Sequence, residues 1–352
     1  MKRVLKVGGL SLVPLGLLAL GLSFRFPQTT ESLYAQGVYP QVVRLFAALN
    51  FVSFSWAEVL LGSAMVAAGF FFRPRKILLT LWCGGGVLLW AFLLLWGFNY
   101  ARPPLEERLG LDLPSADPQA LLEAGERTAA LTSALFESLE QDSGPTRLPV
   151  SFHELDRAID EGYRALELPG DRILSDTTSA KPLLSSTLFS YLGISGIFIP
   201  FTGEPSVNAL QPDAALPMVL AHEKAHQRGI THEGEANFAA FLVCSREEAP
   251  PYLRYAAYLF ATRYLLGEAA QYLPREEVAA AWDRLGSGPS ADLRAMEDFW
   301  ERYQGVASDL TAEVNDRYLR ALQIPEGVES YGTVVRLLLA LDAKGGLTSK
   351  SE

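Results

Sequence analysis

The stretch His222-Glu223-Lys224-Ala225-His226-Gln227-Arg228-Gly229-Ile230-Thr231-His232-Glu233-Gly234-Glu235-Ala236-Asn237-Phe238 decides how this chain is read, and it holds three of the protein's four histidines. The residues before it, 214–221, are apolar and helix-compatible, with Pro217 suited to a first helical turn. His222 and His226 then stand one turn apart on a single helical face, where both imidazoles can meet one zinc ion. Glu223, the next residue round the helix, falls beside the open coordination position. There a carboxylate can take a proton from the attacking water and pass it to a leaving amine. The H-E-x-x-H spacing therefore supplies two metal ligands, His222 and His226, and a catalytic base, Glu223.

The third ligand is open among three residues. His222 to His232 satisfies H-E-x-x-H-x-x-G-x-x-H, in which Gly229 lets the chain turn so that His232 reaches the metal. That pattern also requires a downstream Met-turn, and the later methionine, Met296, reads as mid-helix. Glu235, at the start of a second helix after the Gly229 turn, gives His₂Glu ligation and is preferred. Glu233, on a different side of that helix, reads first as an acid favoured by the helix dipole.

Two cysteines among 352 residues, Cys83 and Cys244, leave no disulfide framework and no Cys-rich zinc site. Any metal must be held by His and carboxylates. Charge is uneven. The first hundred residues carry eight Lys or Arg against two Glu, whereas the whole chain is −10, so the remainder is strongly acidic and no nucleic-acid partner is expected.

Three apolar runs, 7–24, 51–72 and 77–98, approach the roughly 20 residues of a helical membrane span. Basic residues at Lys2, Arg3 and Lys6 and at Arg73, Arg75 and Lys76 place those flanks on the cytoplasmic side. The expectation is a membrane anchor over 1–100, with a lipid bilayer as partner, and a zincin-like domain over 105–345 on the extracytoplasmic side of the cell membrane. Glu58 is the one acid within a run and reads as an interfacial group.

Beyond Arg102-Pro103-Pro104 the expected fold is mainly α, a mostly helical α+β metallopeptidase domain. Helical periodicity covers 117–141, 151–166, 251–272 and 289–322, with Ser115, Ser151 and Ser290 as caps. The clearest strand is Gly196-Ile197-Phe198-Ile199-Pro200-Phe201, whose proline confines it to an edge or an end, and such an edge can bind an extended peptide by strand addition. Tyr255, Arg254 and Tyr331 are candidate donors to a developing oxyanion.

Several segments, among them Gly97-Phe98-Asn99-Tyr100, Ile199-Pro200-Phe201-Thr202-Gly203-Glu204, the H-E-x-x-H stretch and Glu233-Gly234-Glu235-Ala236-Asn237-Phe238, resemble an uncharacterised family of bacterial multipass membrane proteins. Its members pair N-terminal spans with an H-E-x-x-H domain. The resemblance implies a gluzincin-like site in which the Glu before Ala-Asn-Phe, Glu235, is the third ligand. The functional expectation is a membrane-anchored zinc metallopeptidase acting on peptide or protein substrates. The alternative is a catalytically silent H-E-x-x-H membrane binding or scaffold protein.

Overall fold

The computed structural model describes residues 2–50, 52, 54–60, 62–63, 77–115, 117–141, 144–166, 177–321 and 331–347. Its core is built where small residues let helices meet closely. Helix α4 (Pro118–Ser138), preceded by α1 (Lys2–Arg25), α2 (Tyr39–Leu49) and α3 (Ile77–Leu95), lies along the later helix Pro251–Ala269. A Cβ on Gly125 would stand 2.3 Å from Leu266 Cδ2, so only glycine permits this approach. Buried Thr132 and Thr262 bring their hydroxyls to 3.3 Å across the same seam. Helix α5 (Phe152–Ala165) follows, opened by a capping box in which Ser151 and Glu154 satisfy each other's backbone N–H.

A small sheet comes next: β1 (Lys181–Pro182), then, after α6 (Ser186–Tyr191), β2 (Gly196–Ile199) and β3 (Glu204–Val207), in the order β1-β3-β2. β3 is parallel to β1 and antiparallel to β2, with Ile197 opposite Ser206. β2 is thus an edge strand, and Pro200 falls in the turn just beyond it. Behind the sheet lie α7 (Leu216–Gln227) and α8 (Glu233–Cys244), packed as a hairpin. The chain continues through α9 (Pro251–Ala269), α10 (Arg275–Asp283), α11 (Ser287–Tyr303), α12 (Val306–Ala321) and α13 (Tyr331–Ala343). The single helix expected over 289–322 is therefore two, divided at Gln304 and Gly305. The caps also shift: Asp117, not Ser115, caps α4, and Ser290 lies inside α11.

Helix α7 is buried on nearly every side, so its charges must be paired internally. Lys224 Nζ lies 2.8 Å from both Asp156 and Asp160, and Arg228 Nη2 lies 2.9 Å from Asp160. The Arg228 guanidinium also stacks 4.0 Å over the Tyr163 ring. Asp156, Asp160 and Tyr163 share one face of α5, so a single stripe serves both cations.

The C-terminal end of α7 is closed by residues between Glu31 and Arg102. Trp96 Nε1 donates to the His226 carbonyl at 2.9 Å and Tyr39 Oη to that of Gln227 at 2.8 Å. Arg102 donates to the carbonyls of Arg228 and Gly229 at 3.3 and 3.1 Å while forming a two-pronged ion pair with Glu31 at 2.7 and 3.0 Å. These carbonyls are among the acceptors that a helix end leaves without intrahelical partners.

The expected transmembrane helices are not supported: no helix among the described residues is long and apolar enough to cross a membrane. Helix α1 begins with Lys2 and Arg3, contains Pro14 and ends on Arg25, and α3 has 19 residues. Both turn apolar surface toward each other: a Cβ on Gly86 would stand 2.7 Å from Leu12, and one on Gly16 2.8 Å from Leu89. The run 51–72 falls largely outside the described residues. The multipass membrane character and cell-membrane placement expected above are corrected with it. Glu58 is not an interfacial group either, since its carboxylate accepts from the backbone N–H groups of Leu184 and Ser185 at 3.1 and 2.9 Å.

Burial would raise the Asp160 carboxyl, but Lys224 and Arg228 outweigh it and hold that carboxyl below its usual range. A depressed folded pKa means that its stabilisation is fully present above the unfolded value near ~4 and is lost as pH falls through the folded one. Asp160→Asn should lower the unfolding free energy by about 3 kcal/mol at neutral pH, because Arg228 is left buried without its carboxylate. Urea unfolding at pH 7 and pH 3 checks this, and the gap between parent and variant should shrink in acid.

Candidate metal centre

His222 and His226 lie on one face of α7 with ring centroids 4.6 Å apart. Each ring is fixed through Nδ1. That of His226 lies 2.7 Å from the Ile230 carbonyl, and that of His222 lies 2.8 Å from Asn237 Oδ1. A carbonyl can only accept, so Nδ1 of His226 carries a hydrogen, and in the neutral ring Nε2 is then a lone pair. With the Asn237 amide oxygen facing the ring, the same holds for His222.

Both Nε2 atoms converge on Glu233, at 3.1 Å for His222 and 3.7 Å for His226. Ligand atoms of the three residues lie within 4.8 Å of one another, a group able to hold a metal ion. Adjacent ligands of a tetrahedral zinc site with bonds of about 2.0–2.1 Å stand about 3.3 Å apart, and these spacings bracket that figure. Two lone pairs facing a carboxylate are mutually repulsive unless a cation lies between them. Without a metal the balance falls to protons. Burial opposes a charged His226, but Glu233 with its hydrogen bond, and then Glu223, push the imidazole up to about 9. Burial would raise Glu233, and the two imidazoles hold it well below the usual carboxylate range instead.

Glu223 is nearly fully buried beside the pair. Burial pushes its carboxyl up, against the pull of His222 and His226, and the Phe198 N–H donates to it. Asn208 N–H donates to the Ser195 carbonyl, so by strand alternation the peptide groups of Ser195, Ile197 and Ile199 face β3 while those of Gly196 and Phe198 face the free edge. The edge of β2 thus lies along the acid. Gly196 makes this possible, because a Cβ there would stand 2.7 Å from Glu223 Oε1.

The other expected site residues fall elsewhere. Glu235 faces away from the histidines: Oε1 accepts the Leu105 N–H at 2.9 Å, and Oε2 lies 3.9 Å from Arg108. Two residues along a helix is roughly 200° of rotation, so Glu233 and Glu235 cannot serve the same face. The geometry puts Glu233 in the place expected of Glu235. His232 is the N-cap of α8, its ring 6.5 Å from that of Tyr100, and is not in the group. Tyr255 is buried and donates to Asp292, which also accepts from Thr146, an arrangement within the core. Arg254 lines neither cavity beside the group. Tyr331 opens α13, and its side chain lies outside the described residues. Gly229 does turn the chain, at φ +76°, and a Cβ there would press on Asn99 and Arg102.

Two cavities, of about 440 and 640 Å³, meet at His222 and Glu233. The larger runs beneath β2 and takes in Glu223 and His226. The smaller enters between α7, α9 and α11 and includes Met296.

A family model described as a protein of unknown function (DUF3810) matches residues 34–339. The chain belongs to the DUF3810 family. No curated protein and no solved structure matches it. The DUF3810 match spans Tyr39, Trp96 and Arg102 as well as α7 and α8, so the segment that closes the motif helix lies within the family's extent. Asn237 is the site residue of this DUF3810 chain that motif reading missed. The signal was present: Asn237 is four residues beyond Glu233, hence on the same face of α8.

Gly196→Ala should force β2 away from Glu223, costing about 1–3 kcal/mol as an overpacked contact. Chemical denaturation measures the loss, and Gly267→Ala in α9, whose added Cβ meets nothing within 4 Å among the described residues, is the control expected not to destabilise.

Proposed function

We propose that this protein is a zinc-dependent peptidase with His222, His226 and Glu233 as metal ligands and Glu223 as the acid–base group. The observation that carries the reading is the convergence of two Nδ1-anchored imidazoles and one carboxylate on a common point beside a second, buried carboxylate. Three protein ligands leave a tetrahedral ion one open position, the form of catalytic rather than structural zinc sites. When bound, zinc supplies Lewis acidity that polarises a carbonyl and makes water nucleophilic near neutral pH.

The chain's own groups then have distinct tasks. Asn237 and the Ile230 carbonyl hold the rings and fix which nitrogen is free, the part played by outer-shell partners of metal-bound histidines. Glu223 accepts the proton of the attacking water and returns it to the amine leaving group. The Phe198 N–H is held by Glu223, and the free edge of β2 offers the Gly196 peptide group and the Phe198 carbonyl to an extended chain, which supports a peptide over a compact substrate. The cleft, open to both sides of the metal group, accommodates such a chain.

Metal analysis after dialysis against zinc should give one equivalent for the parent, for Glu223→Gln and for Glu235→Ala, and little for Glu233→Ala or His226→Ala. Asn237→Ala should bind zinc 10–100-fold more weakly. Cleavage of a quenched peptide library should vanish in Glu223→Gln although zinc is retained. Full zinc occupancy in Glu233→Ala sinks the ligand set, and equal turnover by Glu223→Gln and parent removes the base.

A further inference from the structure

The smaller cavity is lined by stripes at helical spacing from three helices, joined by Glu233 and Asn237 of α8 and by the loop before α7. Met218, Val219 and His222 come from α7, Leu259, Phe260 and Arg263 from α9, and Met296 and Trp300 from α11. Its lining is divided almost evenly between polar surface and an apolar and aromatic wall that includes Met218, Leu259, Phe260 and Trp300. Apart from the metal-site imidazole, Arg263 is the one cationic side chain among the described residues that line it, and Glu233 the one anionic. Glu233 is committed to the histidines. Arg263 is a solvent-exposed residue of the cavity lining and has no hydrogen-bond or ion-pair partner among the described residues.

A guanidinium without a carboxylate, on the same helical stripe as Leu259 and Phe260, is an arrangement for a group that is apolar along its body and anionic at one point. Arg suits this because its planar fork takes a carboxylate through two parallel hydrogen bonds. The remaining walls offer such a group dispersion and area burial, while the shared His222 and Glu233 place it next to the reacting bond. We infer that Arg263 is a specificity-determining residue that binds a carboxylate on the substrate, adjacent to an apolar side chain seated in this cavity. The inference rests on the peptidase reading for its place in a reaction, but the carboxylate site itself does not require turnover. The carboxylate comes either from a free chain terminus or from an acidic side chain.

The test uses zinc-loaded Glu223→Gln protein, which holds peptides without cutting them, and calorimetric titration of four acetylated peptides. One ends in Phe-Leu with a free carboxylate, and the second is its amide. The third and fourth are amidated and carry Glu or Gln in place of the final Leu. Acid-bearing peptides should bind about tenfold more tightly than their neutral counterparts, the scale of one charge-assisted contact at an accessible site. Adding Arg263→Ala should erase that difference and leave the neutral peptides unchanged, while Arg263→Lys retains part of it. Preference for the free terminus alone, or for Glu over Gln alone, identifies the source. An acid preference that is missing in the Arg263 protein, or that survives Arg263→Ala, overturns the inference, as does failure of every peptide to bind. Arg263-dependent binding with no cleavage by the parent leaves this site standing and rejects the peptidase.

Discussion

The end of helix α7 is the constraint on which the rest of this structure depends. Any helix finishes with carbonyl groups that have no partner inside it, and a buried unpartnered carbonyl costs on the order of 1–3 kcal/mol. Here the last turn carries His226, so its direction sets where one ring of the pair points. Trp96, Tyr39 and Arg102 take up the carbonyls of residues 226 to 229, and Arg102 is itself held by Glu31. The Trp96 ring also stands edge-on to His226 at 6.1 Å. Segments more than a hundred residues upstream thus fix the final turn of the motif helix and the exit of the chain at Gly229.

The opposite face of α7 meets the same requirement with charge. Lys224 and Arg228 alternate with His222 and His226 at four-residue spacing, so one face of the helix gathers imidazoles and another gathers cations. Asp156 and Asp160 neutralise the cationic face from α5, keeping two buried charges from repelling any ion held between the histidines. Stability and site electrostatics therefore rest on one network.

How much of this could be read from the residues alone differs by element. Ser151 with Glu154 three residues on, and the β-forming run Gly196–Phe201, carry their geometry in short-range pattern: the capping box formed as expected, and the strand formed over Gly196–Ile199 and stopped at Pro200. The H-E-x-x-H spacing is equally local and put His222, Glu223 and His226 together. The apolar runs near the N-terminus misled because hydropathy records only the preference to leave water, not whether lipid or another helix receives the surface. Gly86 against Leu12, and Trp90 donating to the Leu12 carbonyl at 2.9 Å, show α1 and α3 receiving each other. Choosing between Glu233 and Glu235 needed the register of α8 on α7, and that depends on where the chain turns, which one-dimensional spacing does not contain.

The two acids of the first turn of α8 divide their work for this reason. With His232 as N-cap, Glu233 is the first helical residue and looks back at α7, while Glu235 looks toward Leu105 and Arg108 and anchors the chain that leads out of Arg102. Removing Glu235 would loosen the same Arg102 segment that closes α7, so an acid outside the metal group still bears on its geometry. The cleft follows from this packing. Since β2 approaches Glu223 through Gly196 and α9 approaches His222 from the other side, the group of His222, His226 and Glu233 sits between two cavities rather than at the bottom of one. On the peptidase reading, contacts on both sides of the reacting bond can then hold it in place, converting remote binding energy into alignment at the one position where Glu223 and the ligand set meet.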